Sequence, residues 1–173
     1  GAATLFGNGD DASYQVRFAS NLAFGDSVIN LSNSGASSLN AFTSSQAQDG
    51  EICANVYAYS PDEQLVSCCS CNVTPNALNS LSVRNDLASN TLTPIIPSAL
   101  VIKVLATAGG SAACTASSAA TVAADGSSLV KGLLAWGTTI HALPVTASSP
   151  AGTYFGTENA FSNATLSAAE LSR

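Results

Sequence analysis

Residues 67–71 read SCCSC, so Cys68, Cys69 and Cys71, three of the chain's five cysteines, stand within a few positions of one another. Cys53 and Cys114 lie well outside that cluster. Zinc and iron–sulfur sites use C-x2-C pairs matched by a second cysteine or histidine pair at a distance. Here the spacings are CC and C-x-C, the distant cysteines are single, and the one histidine, His141, is remote from all of them. Cys68-x-x-Cys71 matches the thioredoxin spacing formally, but the βαβ pattern that gives that motif meaning is absent. Disulfides are the remaining chemistry. A tight turn at Ser60-Pro61-Asp62-Glu63 would bring Cys53 opposite Cys69 and Cys71, within the Cα reach of a bridge. A second bridge would then join a remaining cluster cysteine to Cys114. Adjacent Cys68 and Cys69 are not expected to bond each other, because the ring they close is strained. The odd cysteine implies a free thiol, an intermolecular bridge or a partner beyond this stretch of chain.

Catalytic patterns are sparse. Ser128-Leu129-Val130-Lys131 fits S-x-x-K, but the companion S-D-N and K-T-G motifs are missing, as is any G-x-S-x-G. His141 sits in TTIHALP among apolar residues and reads as a wall or edge residue rather than a base. Nothing among the eleven acids selects the facing pair a glycosidase needs. Gly7-Asn8-Gly9-Asp10-Asp11 has the composition of a calcium loop without its closing acid, and reads more simply as a polar turn. The expectation is a protein that is not an enzyme, with no cofactor and no metal.

The elements that would carry these residues are strands. Short runs of Val, Ile, Thr and Tyr alternate with polar residues and are separated by Gly, Asn, Asp, Ser and Pro. Tyr14, Val16 and Phe18 form one apolar face of a first strand, and residues 26–33 suggest a second. In a third, Ile52, Ala54, Val56 and Ala58 share one face, while Cys53, Asn55, Tyr57 and Tyr59 share the other. The turn at Ser60 returns the chain through residues 64–69. Leu81 and Val83 begin another strand, residues 99–108 form the most buried one, and residues 129–143 supply one or two around Trp136. Residues 153–157 suggest a short edge. Residues 111–125 read as a loop or short helix, and Ser167 to Glu170 matches a capping box opening a short C-terminal helix over 167–173. Together these predict an all-β chain, an antiparallel β-sandwich of immunoglobulin-like or jelly-roll-like form. Residues 1–24 would be an N-terminal extended arm or first strand, and residues 25–173 one sandwich domain.

Charged residues make up only 9% of the 173, against about 25% in an average soluble domain. The net charge of −6 and scattered basic residues argue against nucleic acid or anionic lipid as partner. The longest apolar run, 99–108, is too short to span a bilayer, so no membrane insertion is expected. The chain starts at Gly1 and contains no methionine, which suggests processing by a signal peptidase. With five cysteines and sequons at Asn30, Asn72 and Asn163, it reads as secreted or cell-surface.

The segments GDSVINLSNSGASS, ICANVYAYSPDEQLVSCCSCNVTPNALNSLSVRNDLASNTLTP, VIKVLATA and AWGTTIHALP resemble a family of uncharacterised secreted proteins of soil bacteria. The similarity covers most of residues 26–173, and SPDEQ to CCSC to VTPN is its most specific part. It implies an exported, disulfide-containing protein whose relatives continue into a cysteine-bearing tail, and it implies no activity.

The composition is also similar to that of donor-strand-type pilin subunits. A sandwich with an open strand position can accept a neighbour's extended arm, and head-to-tail insertion builds open filaments. Leu5 and Phe6, a Gly-rich spacer, then Tyr14, Val16 and Phe18 would suit such an arm, or equally the first strand of the chain's own sandwich. The leading expectation is a self-assembling subunit of an extracellular filament or surface layer, a homo-oligomer or polymer. The alternative is a glycan- or protein-binding module with Trp136, Tyr57, Tyr59 and Tyr154 as platforms.

Overall fold

A computed structural model describes residues 13–36, 50–62, 64–88, 97–110, 114–115, 118, 129–148 and 150–163, with Ser67, Cys68 and Asn163 described by their backbone. Among the described residues nine strands form: β1 (Tyr14–Ala19), β2 (Val28–Asn33), β3 (Ile52–Tyr59), β4 (Leu65–Val73), β5 (Leu78–Ser82), β6 (Leu100–Ala108), β7 (Leu133–Ala142), β8 (Tyr154–Ala160) and β9 (Ser162–Asn163). They pair antiparallel in two sheets, β4-β3-β6-β1-β9 and β5-β2-β7-β8. The all-β sandwich expected from the period-two pattern is therefore the fold.

Alternation decides what each strand buries. On β3, Ile52, Ala54, Val56 and Ala58 are sealed from solvent, and on β6 Leu100, Ile102, Val104 and Ala106 lie in the same layer. Ile29 and Leu31 of β2 and Leu133 and Ala135 of β7 meet them from the second sheet. Each large aliphatic side chain so enclosed contributes about 1.5–3 kcal/mol. At the β3–β4 turn the Ser60 amide donates to the Gln64 carbonyl at 3.0 Å, and the register shifts after Ala58.

The strand expected to begin at Leu81 instead runs Leu78–Ser82 and ends there. Val83, expected to continue it, instead opens a π-helical segment, Val83–Ala88. Ser82 caps it: its Oγ accepts from the Asn85 amide at 3.1 Å, while the Asp86 carboxylate accepts the Ser82 amide at 2.7 Å. Reciprocal side-chain bonds of this kind satisfy donors at a helix start. Val83, Leu87 and Ala88 turn into the core.

Residues 14–19 lie in the chain's own sheet, between β6 and β9. Their apolar face does not point into the sandwich. Register with β6 sets Gln15 opposite Val104 and Arg17 opposite Ile102, so Gln15, Arg17 and Ala19 turn inward. Tyr14, Val16 and Phe18 share the outer face of the sheet with Val101, Lys103 and Leu105, and Phe18 is 59% exposed. Polar side chains are tolerated inside because the second sheet supplies acceptors there. Gln15 Nε2 donates to the Leu133 carbonyl at 2.9 Å. Leu5, Phe6, residues 7–11 and the helix over 167–173 lie outside the described residues.

Candidate functional site

The cysteines divide by strand parity. Cys53 stands on the outer face of β3, opposite Asn72, whereas Cys71 and Cys69 pair with Ala54 and Val56 and so belong to the inner face of β4. The bridge expected from Cys53 to Cys69 or Cys71 therefore does not form. Hairpin partners one residue out of phase point to opposite faces of the sheet. Cys53 bonds Cys114 instead, with Cα atoms 5.4 Å apart and well within bridging range. Neither Cys69 nor Cys71 is in a disulfide, and both are half-buried. Cys68 pairs along the backbone with Tyr57. A hydrogen bond with Cys69 holds the Cys71 thiol down to about 7, outweighing burial and the Asp86 carboxylate, which both push it up.

Outside Cys53 and Asn55, the first sheet presents a row of aromatic and aliphatic side chains. Phe18 and Val16 on β1, Val101 and Lys103 on β6, and Tyr57 and Tyr59 on β3 share this face. The Lys103 ammonium lies 5.3 Å from the centre of the Tyr59 ring, a cation–π arrangement. Trp136 belongs to β7 in the other sheet, and Tyr154 stands at the start of β8 against Gly25. The four aromatics expected to form a platform are thus split, with only Tyr57 and Tyr59 together.

The margin formed by β7, β8 and β1 carries a polar network. Arg17 crosses from β1 to donate Nη1 to the Asn159 carbonyl at 3.0 Å and Nη2 to Thr139 Oγ1 at 2.8 Å. Its guanidinium also lies 5.7 Å from the Phe161 ring centre. Burial pushes its pKa below the ordinary arginine value, with the Glu158 charge acting in the opposite sense. Nε is buried without a partner, next to Gly137, where any Cβ would approach it to 3.1 Å. Thr139 donates to Asn159 Oδ1 at 2.9 Å, and Thr157 donates to the same oxygen at 3.1 Å. His141 stacks on Phe155 with ring centres 4.8 Å apart and meets Thr157 Oγ1 at 2.9 Å. Ser128, the other half of the S-x-x-K pattern, lies outside the described residues, and Lys131 is exposed.

β8 is exposed along all seven residues and occupies an edge of its sheet, paired with β7. Backbone groups in an antiparallel strand alternate sides. The Leu143 amide donates to the Thr153 carbonyl and the Phe161 amide to the Ala135 carbonyl, both at 2.9 Å, so in this register the odd-numbered residues face β7 and the backbone of Gly156 and Glu158 turns outward. Among the described residues no three His, Cys, Asp or Glu side chains gather to hold a metal. No helix there is long and apolar enough to cross a membrane. No family model, no curated protein and no solved structure matches the chain.

Proposed function

We propose that this chain is a secreted structural subunit that assembles with copies of itself into an extracellular filament or surface layer by β-strand addition. The observation that carries the reading is the open edge of β8, seven exposed residues ending a sheet, with Tyr154 and Phe155 each 46% exposed. Natural edges are usually blunted by charge, proline or a covering element. In YFGTENA the one charge is Glu158, whose Oε1 accepts from Thr138 across the hairpin at 2.9 Å. A neighbour's extended segment docking there would satisfy the outward groups of Gly156 and Glu158. Because residues 14–19 already serve the chain's own sheet, the donor is the preceding stretch with Leu5 and Phe6. The low charge content permits close stacking of copies, and the Cys53–Cys114 bridge suits an oxidising compartment.

Electron microscopy of the purified chain tests this directly. Filaments or sheets are expected. Glu158→Pro, which removes an outward amide without touching the β7 ladder, should leave folded monomers, as should deletion of residues 1–12. A wild-type chain that stays monomeric at high concentration, or a Glu158→Pro chain that assembles normally, would overturn the reading.

The half-exposed face bearing Tyr57 and Tyr59, with Phe18 and Lys103 alongside, favours one second reading, a glycan-binding module. Retention on insoluble polysaccharide, lost in Tyr57→Ala/Tyr59→Ala, would support that alternative.

A further inference from the structure

Among the described residues, Cys69 and Cys71 lie outside the disulfide. Cys69 and Cys71 stand two residues apart on the inner face of β4, hydrogen-bonded to each other and half-accessible. Their neighbours across the ladder, Val56 and Ala54, carry no charge. The charged group acting on Cys71 is Asp86, from the π-helical segment packed against β4. Reactive cysteines are ionised near neutral pH, reachable, and set beside a second thiol able to resolve the adduct. This pair meets all three conditions.

We infer that Cys69 and Cys71 form a thiol–disulfide exchange site that takes small disulfides as substrate. The Cys71 thiolate attacks one sulfur of R–S–S–R, breaking that bond, forming Cys71–S–S–R and releasing one R–S⁻. Cys69 loses its proton to solvent and attacks Cys71 Sγ, forming a Cys69–Cys71 disulfide and releasing the second R–S⁻. Two protein thiols are oxidised and one external disulfide is reduced to two thiols, so electrons balance. Adjacent same-face residues of a strand have Cα atoms about 6.7 Å apart, twice the rise per residue, which is near the upper limit for a bridge. The product is accordingly a strained disulfide, of the readily reduced kind.

The probe is 5,5′-dithiobis(2-nitrobenzoate), applied to the folded full chain in a Cys68→Ser background with the Cys53–Cys114 bridge intact. Two equivalents of thionitrobenzoate should be released, with no adduct retained by mass spectrometry. Removing the Cys69 hydrogen bond returns Cys71 toward an ordinary thiol. Weighing thiolate fraction against nucleophilicity, Cys69→Ala should then react about sixfold more slowly at pH 7. Cys69→Ser keeps a donor, so it should restore the rate while stranding one adduct on Cys71. The same rate in Cys69→Ala as in the parent, or an adduct retained by the parent, overturns the proposal. So does a folded parent that reacts no faster than the chain in denaturant at the same pH, a comparison that needs no variant.

Discussion

Arg17 Nη1, rooted in β1 of one sheet, donates to the main-chain oxygen of Asn159 on β8 of the other, at 3.0 Å. The guanidinium is buried, with hydroxyl and carbonyl oxygens as its acceptors. Burial lowers its pKa, and for a base that sign means the charged form is costlier folded than unfolded. Arg17→Ala loses two charge-assisted bonds and leaves a void, so it should lower unfolding stability by about 2–4 kcal/mol. Arg17→Met keeps most of the volume and removes the buried charge, so it should cost less than about 1.5 kcal/mol. Urea midpoints for the two variants decide this. Equal losses would mean the charge itself holds the sheets together.

Gly137 is the complement of that side chain. A Cβ there would lie 3.1 Å from Arg17 Nε and 3.1 Å from the Val28 carbonyl oxygen. The arginine could shift, but the Val28 backbone sits in the β2 ladder and cannot easily follow. Gly137→Ala should therefore destabilise by about 1–3 kcal/mol. In the Arg17→Met background the penalty should shrink without vanishing. A thermal melt of the four proteins gives the coupling.

How much of this could be read from the residues follows from what each pattern encodes. Alternation marked β3, and the longest apolar run marked β6, because their inner faces are uniformly apolar. On β1 the same rule pointed the wrong way. Gln15 and Arg17 are inside because acceptors on distant strands receive them, and no local window contains Leu133 or Asn159. Asn33 was passed over for a similar reason. It is buried and donates to the Gly50 and Val73 carbonyls at 2.8 and 2.9 Å, partners that only the folded chain brings near. The cysteine pairing failed on parity: turn position alone suggested reach, whereas register decides the face. One signal was available and unused, the Ser82–Asn85–Asp86 cap that ends β5.

The Cys53–Cys114 bridge should carry a large share of stability. It closes a separation of 61 residues, for which the chain-entropy relation gives about 4 kcal/mol. Cys53→Ser is expected to lose about 2–4 kcal/mol, and reductant should destabilise the parent by a like amount while leaving the variant unchanged. Calorimetry with and without reductant checks both. Destabilisation of the variant by reductant would point to a second structural bridge.

The thiol pair adds a pH dependence whose sign is fixed by the direction of its shift. Cys71 ionises at about 7 in the fold, below the ordinary thiol value of 9.0. A depressed acid stabilises the native state fully above its unfolded pKa and loses that contribution as pH falls through the folded one. Stability relative to Cys71→Ser should therefore rise between pH 7 and 9 and be flat below pH 6. Solvent screening at a half-exposed group limits the gain to about 1 kcal/mol. Denaturant titrations at pH 6, 7.5 and 9.5, on protein whose Cys69 and Cys71 remain reduced, measure the difference. A gain that grew toward acid would mean that Asp86, rather than the Cys69 hydrogen bond, governs the thiol.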